Sequence, residues 1–538
     1  MILQRLTALY DRMSADGEAA PPGFQRKAVH FVVVLDTVGR AVGLERTGSI
    51  DERGRHRPRD FVVPQEEIRT VAAKANLLWD NAEYALGLAK SPELADRAKE
   101  RHRLFIERTA SFKQATASDL GIEALTQFLE TQDADALSRF DAFPDLRETN
   151  GNVAFRLDGD PELICERPLV REIVAQMGER EDDGVTGQCL VTGTADRILN
   201  LHPAIKGVRG AQTAGARLVS FNLDAFTSHG AKQNQNAPVG QRAAFAYTAA
   251  LNNLLAERPN RPRRKLVEGD TTYVFWAAQA NTFEDDLALL FDTPPTFDSL
   301  TDSVRALFAA IRTGTPPQLS DQTQFYILGL APNAARIAVR FWHEGTVAEI
   351  AGNVLAHFRD IDLATSYDRP PSSLRYLLRS LAVAGNDDNL PANLAGEVVR
   401  AVLSGGQYPR TLLVSAVTRC RAEQDVTHSR AALIKGVLVR NARLGGHSEQ
   451  EVSVTLDIED RNAGYRLGRL FAVLERIQET AQPGINATIR DRFYGAASST
   501  PVVAFPHLLK LHNHHIAKFR DEKAGLANWF EKQIGEIM

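Results

Sequence analysis

Cysteine and methionine are scarce in this chain of 538 residues, and the scarcity excludes several classes of protein. The three cysteines, Cys165, Cys189 and Cys420, are far apart and odd in number. Neither a disulfide framework nor the paired spacing of a zinc site can be built from them, so buried thiols in a reducing compartment are expected. Long apolar runs are missing too: stretches such as Phe31–Leu35 fall far short of a membrane span. The first residues, MILQRLTALYDRM, are amphipathic and do not form a basic region followed by an apolar core. No signal peptide is read there, and a cytoplasmic location is expected. Neither sign of charge dominates, because 63 Lys and Arg stand against 67 Asp and Glu, for a formal charge of −4. The whole chain therefore carries no polyanion-binding signal. Catalytic signatures are also absent. There is no GxxxxGK[ST] string to cradle phosphates, which argues against a helicase motor, and no HExxH or GxSxG. Gly207, Gly210 and Gly215 are spaced GxxGxxxxG, which is not the dinucleotide fingerprint. No nucleophile–base pair or carboxylate pair has supporting context, so no catalytic residue, cofactor or metal is assigned.

What is present divides along the chain. Ile2, Leu3, Leu6, Leu9 and Tyr10 share one helical face, and Pro21, Pro22 and Gly23 end that helix. Strands are expected at His30–Leu35 and around Gly39–Leu44, followed by a basic loop with Arg53, Arg55, His56, Arg57 and Arg59. That loop is either a solvated hairpin tip or a set of phosphate contacts. Residues 66–130 read as helical, with Asn76, Asp80, Asn81 and Tyr84 on one face. Residues 129–150 read as an acidic loop. Residues 152–166 alternate like two strands about the Gly159–Asp160 turn. Further strands are expected at Thr271–Ala280 and Gln324–Leu328, with a helix over Ser299–Arg312 between them. Asn333, Arg336 and Arg340 either touch a nucleic-acid strand or partner, or Arg336 and Arg340 form ion pairs on a helix. Beyond residue 346 only helical periodicity persists, as in the stripe Leu467, Leu470, Phe471, Leu474, Ile477 and the stripe Leu526, Trp529, Phe530, Ile534, Ile537. The fold class expected is α+β: a mixed α/β N-terminal domain over 1–345, a helical connector over 346–400, and an all-α bundle over 401–538.

One stretch stands apart. Between His202 and Val239 neither periodicity survives, and Gly, Asn, Gln, Lys and Arg accumulate. A long polar segment inside a folded domain is either functional or disordered. The insertions Leu218, Val219, Phe221, Leu223 and Phe226 argue against disorder. From Asp196 to Lys265 eleven Lys and Arg face three acids, Asp196, Asp224 and Glu257. Dense local base with many amides suits a polyanion, most simply nucleic acid, although a solvated loop on an ordinary enzyme has the same composition.

These residues carry a resemblance. Cys189–Gly193 (CLVTG), Leu201–Ala216 (LHPAIKGVRGAQTAGA), Leu218–Phe226 (LVSFNLDAF), Asn236–Val239 (NAPV) and Ala243–Leu255 (AAFAYTAALNNLL) resemble the large subunit of the type I-C CRISPR effector complex, Cascade. The likeness extends to Asn76–Gly87, Tyr326–Trp342, Leu467–Gln478, Ile485–Ser498 and Phe505–Lys518, so it spans almost the whole chain in order. It implies a non-catalytic subunit that touches the guide RNA and checks the protospacer-adjacent motif (PAM) on double-stranded DNA. It further implies that the subunit promotes duplex opening and R-loop formation and helps recruit a helicase-nuclease. The other partners implied are the backbone and guide-end-binding subunits and the small subunit, which the C-terminal bundle resembles. In that group the C-terminal region can also be made separately from an internal start. Here no methionine lies between Met177 and Met538, so such a product would begin at a GUG or UUG codon, written in this sequence as Val or Leu.

Under this resemblance Lys232, Gln233, Asn234, Gln235 and Asn236 are the expected PAM readers, with Asn76 and Asn81 as further candidates. Amide and ammonium groups donate to adenine N3 and thymine O2, the acceptors that the minor groove displays. A turn that bonds to itself is the plainer reading of the same residues. Lys206, Arg209, Arg217, Arg263, Arg264 and Lys265 are candidates for phosphate contacts. The competing enzyme reading is a stand-alone metal-dependent nuclease using the histidines of the C-terminal helix, His507, His512, His514 and His515. It has no nearby carboxylate or cysteine to complete a ligand set.

Overall fold

A computed structural model describes the chain except for residues 51–55, 68, 70–72, 115–118, 132–133, 178–184, 222, 258–262, 292–319, 365–371, 387–388, 392 and 447–451. Arg53, Arg55, Arg258, Arg261 and the whole of the helix expected at Ser299–Arg312 lie outside the described residues. The chain divides into two compact units. The first comprises residues 1–203 and 219–253, and the second comprises 204–218 and 254–538.

The first unit is mixed. Helix α1 (Ile2–Ala15) buries Leu6, Leu9, Tyr10 and Met13, as its sequence face requires. Strands β1 (Phe24–Val29) and β6 (Arg59–Pro64) form one antiparallel ribbon, and the short β4 (Ser49–Ile50) and β5 (His56–Arg57) pair in another. A four-stranded sheet has the order β3 (Ala41–Arg46), β2 (Phe31–Leu35), β8 (Asn152–Leu157), β7 (Trp79–Asn81). Every residue of β2, FVVVL, is buried, which is how a strand covered on both faces reads. Phe155 of β8 packs against Phe105 of α3 (Ala95–Lys113) and Phe128 of α4 (Leu120–Thr131), at 6.1 and 6.0 Å between ring centroids. Each such burial stabilises by about 1.5–3 kcal/mol.

Three local expectations give way here. Asn76 to Tyr84 is not one helix: residues 79–81 pair as β7 with β8, and only Ala82–Ala85 makes a helical turn, α2. The pairing partner, 71 to 75 positions along the chain, overrides the local spacing. Residues 152–166 supply one strand, then a turn and a 3-10 segment at Ile164–Glu166. Residues 129–150 contain a short helix, α5 (Phe143–Thr149), ended by Asn150 at φ +50°. After α6 (Pro168–Met177), the β9–β10 hairpin (Thr186–Gln188, Ala195–Arg197) leads towards helix α7 (Gln241–Leu255).

The second unit holds an antiparallel meander of β11 (Lys265–Glu268), β12 (Thr271–Ala277), β13 (Gln324–Asn333) and β14 (Arg336–Thr346). Arg336 and Arg340 thus sit on a strand and not on a helix. Asn333 and Arg336 close a hairpin whose tip puts Ala334 at φ +52°. One face of the sheet, with Tyr273, Phe275, Phe325, Ile327 and Phe341, shares a core with the helices that follow. These are α8 (Phe283–Phe291), α9 (Val347–Ile361), α10 (Leu374–Arg379), α11 (Leu394–Ser404), α12 (Arg410–Glu423) and α13 (His428–Leu444). Helix α9 begins where the Thr346 hydroxyl accepts the Glu349 N–H at 3.1 Å. Within this core Arg440 donates to Asp360 Oδ2 at 2.7 Å and to the Ala401 carbonyl at 3.1 Å, so the buried guanidinium is matched. Four further helices, α14 (Ala463–Ala481), α15 (Ile489–Ser499), α16 (Pro501–Phe519) and α17 (Ala524–Ile537), build a separate core. Its stripes follow the sequence, except that Leu526 and Trp529 are exposed. No strand follows residue 346 among the described residues. The N-terminal part is therefore mixed and the C-terminal part helical.

Candidate nucleic-acid interface

The amide-rich loop grows from a stitched base in the first unit. Leu190 N–H donates to the Pro238 carbonyl at 2.9 Å, and Leu199 N–H donates to that of Val239 at 3.2 Å. His202 Nδ1 lies 2.6 Å from the Tyr247 hydroxyl, which ties the start of the polar stretch to α7. The Asp196 carboxylate accepts the Arg242 N–H at 3.2 Å, placing a negative charge at the first turn of α7, where the helix dipole favours it. Gly240 is required there, because a Cβ would stand 2.2 Å from Asp196 Oδ2.

The loop enters through Ser228–Ala231, where Ala231 N–H donates back to Ser228 at 2.8 Å. His229 and Gly230 both have positive φ, +50° and +79°, as a two-residue turn of the I′ kind needs. A 3-10 turn, Gln233–Asn236, follows. Asn234 is fully buried and its Nδ2 donates to the Leu199 carbonyl at 2.6 Å, while its Oδ1 has no partner among the described residues. Asn236 Nδ2 donates to the carbonyls of Ala231 (3.1 Å) and Gln233 (2.9 Å). Gln235 Oε1 accepts the Lys232 N–H at 3.3 Å. Lys232, Gln233 and Gln235 are exposed, and the side chains of the first two make no hydrogen bond among the described residues. The five candidates therefore split into two that build the loop and three that face solvent.

The other amide candidates are placed differently. Asn76 is buried, and its Oδ1 accepts the Glu67 N–H at 2.9 Å. Asn81 caps α2 by accepting the N–H groups of Glu83 (3.1 Å) and Tyr84 (3.2 Å). Between them Asp80 accepts from Asn76 N–H (2.8 Å), from Asn81 N–H (2.8 Å) and from Arg69. Burial nevertheless pushes the Asp80 carboxyl up, against the pull of Arg69 and the two amides.

The six cation candidates belong to the second unit. Residues 205 and 216 exchange main-chain hydrogen bonds (2.8 and 2.9 Å) and close a loop that displays Lys206 and Arg209. Arg217 is half-buried, its backbone bonded to Ala335 and Ile337 beside β14. Arg264 is buried and lies 3.0 Å from Glu284 and 3.4 Å from Asp285. Lys265 Nζ donates to the Leu255 carbonyl (2.6 Å) and lies 2.9 Å from Glu257. Arg263 is exposed, at 3.7 Å from Glu257. Arg264 and Lys265 thus serve the fold, and Lys206, Arg209 and Arg263 remain at the surface.

The family model described as CRISPR-associated protein (Cas_Csd1) matches residues 6–538. The chain belongs to that family. Its role is accordingly that of a Cascade-type effector subunit in CRISPR antiviral defence. No curated protein matches the chain.

For a member of this family the histidine-rich helix needs a physical account of its own. In α16, His515 is buried and burial holds its imidazole below the usual range, whereas His514 is exposed. His512 Nδ1 is turned onto the Leu509 carbonyl, and His507 packs 5.4 Å from the Phe493 ring. The side chains diverge, and no group of three His, Cys, Asp or Glu among the described residues could hold a metal. The nuclease reading finds no support in this geometry. Cys165, Cys189 and Cys420 are all buried thiols. No described helix is long and apolar enough to cross a membrane. Sequence reasoning missed Asp196 and Gly240 as the pair that starts α7. A lone acid and a glycine just before an apolar helical run were the available signal.

Proposed function

We propose that this chain is the large subunit of a type I-C Cascade and has no catalytic role of its own. It tests the PAM on duplex DNA and promotes opening of the duplex and R-loop formation along the guide RNA. It works with the backbone, guide-end-binding and small subunits in the cytoplasm, and helps recruit the helicase-nuclease that cuts. The observation that carries this reading is the loop of residues 228–237. Asn234 and Asn236 fix its backbone while Lys232, Gln233 and Gln235 turn outward. Such a loop offers donors held in place before any ligand arrives, and donors are what the acceptor-lined minor groove takes. A few base pairs tested by protein suffice, because guide pairing reads the rest.

The test is duplex binding by the complete complex, purified with its partner subunits and guide, on a PAM-bearing target and a PAM-scrambled one. Changing Lys232, Gln233 and Gln235 together to Ala is expected to leave assembly intact and erase the preference. A preference that survives in this variant overturns the assignment of the loop. A wild-type complex with no preference at all overturns the reading itself.

A further inference from the structure

The hairpin end of the second unit's sheet gathers arginines that no acid among the described residues pairs with. The Arg209 N–H donates to Thr272 Oγ1 at 3.1 Å, which sets that loop residue over β12, with its side chain exposed. Thr272 lies in register with Leu330 on β13, and Leu330 with Val339 on β14. Arg340 is the extra residue of a bulge in that rung: Val339 faces Leu330 and Phe341 faces Gly329, leaving Arg340 without an opposite number. It is exposed on the edge strand of the sheet. Arg400, on α11, reaches the same edge from the other face. Its Nη2 donates to the Arg340 carbonyl at 3.1 Å, and its guanidinium stands 5.7 Å from the Phe341 ring centroid.

Among the described residues Arg209, Arg340 and Arg400 make no salt bridge, although acids outnumber bases in the chain. Arg264, by contrast, is paired twice over. A guard against edge-to-edge pairing would explain one charge on β14. It does not explain two more delivered to the same end by a loop and a helix, where like charges repel. Strands lie about 4.8 Å apart, so the backbones of Arg209 and Arg340 are separated by roughly 10 Å across β12 to β14. A nucleic-acid strand carries a phosphate every ~3.4 Å of helix axis, so that span faces more than one.

We infer that this sheet end is a sequence-blind contact for the phosphodiester backbone of nucleic acid, with Arg209 and Arg340 as its outward charges. The inference rests on the reading above that the chain acts on nucleic acid, but assigns a different task from base reading. Arg400 holds the bulge through the Arg340 carbonyl and supplies further positive field.

The experiment uses the assembled complex with Arg209→Ala and Arg340→Ala combined, Arg400 being kept because it braces the backbone. Duplex affinity is measured over a salt series on PAM-bearing and scrambled targets, and guide retention is measured over the same series. Each lost phosphate contact lowers the salt slope by about 0.9, so two lower it by about 1.8 and weaken duplex binding roughly 30-fold at about 0.15 M salt. The expected loss is equal on both targets, and Arg209→Lys with Arg340→Lys restores the slope. If the slope changes in guide retention instead, the backbone is that of the guide RNA and the contact stands. Unchanged affinities and slopes in a properly assembled variant overturn the inference, as does lost PAM preference with an unchanged slope. A wild type without PAM preference would sink the base-reading proposal alone, because the salt slopes still decide this one.

Discussion

Two amide-rich stretches of the first unit invite comparison, Asn76–Asn81 and Lys232–Asn236. Both looked suited to reading bases. In the first, every amide oxygen or carboxylate in question is spent: Asn76 on the Glu67 N–H, Asn81 on the start of α2, Asp80 on the N–H groups of Asn76 and Asn81 and on Arg69. In the second, Asn234 and Asn236 spend their side-chain N–H groups on main chain and Gln235 spends only its Oε1, on Lys232 N–H, while Lys232, Gln233 and Gln235 stay exposed. The difference lies in where each stretch meets the sheet. Residues 79–81 pair in the edge strand β7 against β8, which buries their surroundings. Among the described residues, 232–236 bond to their own turn and to the Leu199 carbonyl. Polarity in a sequence therefore marks hydrogen-bonding capacity, and only the fold says whether the capacity has already been used.

Breaking the first stretch should give the largest effect on stability. Asp80→Ala takes the carboxylate away from the Arg69 guanidinium and from two N–H groups, that of Asn76 buried and that of Asn81 half-buried. Because Arg69 keeps partial contact with water, the loss falls at the low end of a broken buried pair, about 3 kcal/mol, read as a lower urea midpoint. Any complex that still assembles should keep its PAM preference. A variant that folds normally but loses preference would move the reader to this face.

Asn234→Ala should cost less, about 1 kcal/mol. Truncation removes the bond to Leu199 but also removes an Oδ1 that is already buried without a partner. Here stability and PAM preference should fall together, because the anchor holds the reading turn. Asn81→Ala should cost about 0.5–1 kcal/mol as the loss of a helix cap, with preference unchanged. Smallest of all, the combined Lys232, Gln233 and Gln235 change to Ala should alter stability by no more than about 0.5 kcal/mol, since exposed side chains carry little of it. Its effect should appear in selectivity alone. A large stability loss in that variant would mean that these side chains, like Asn76, belong to the framework.

The same distinction divides the cations. Arg263, Arg264 and Lys265 are adjacent in sequence and indistinguishable there, yet Arg264 is buried against Glu284 and Asp285, Lys265 is tied to Leu255 and Glu257, and Arg263 is exposed. Strand alternation sends neighbours to opposite faces, and β11 begins within this triplet. Arg336 and Arg340 show the reverse error. Spaced by four residues they suit a helix, but Pro332–Asn333 before them and the alternation of Ile337, Val339 and Phe341 mark a hairpin, which is what forms.

The sequence by itself determined whatever depends on local order and period. It set the buried strand at Phe31–Leu35, the helical character of everything beyond residue 346 and the burial of the three thiols. It also set the location of the polar stretch between His202 and Val239. The tertiary structure alone decided which polar groups remain available. Asn234 finds its partner at Leu199, Asn81 sits against a strand that begins at residue 152, and Arg340 becomes a bulge only because Gly329 and Leu330 lie opposite. Such partners are distant in sequence. A hydrogen bond satisfied by a distant residue leaves no mark on the local pattern, because periodicity records which face is apolar and not which polar group has been used.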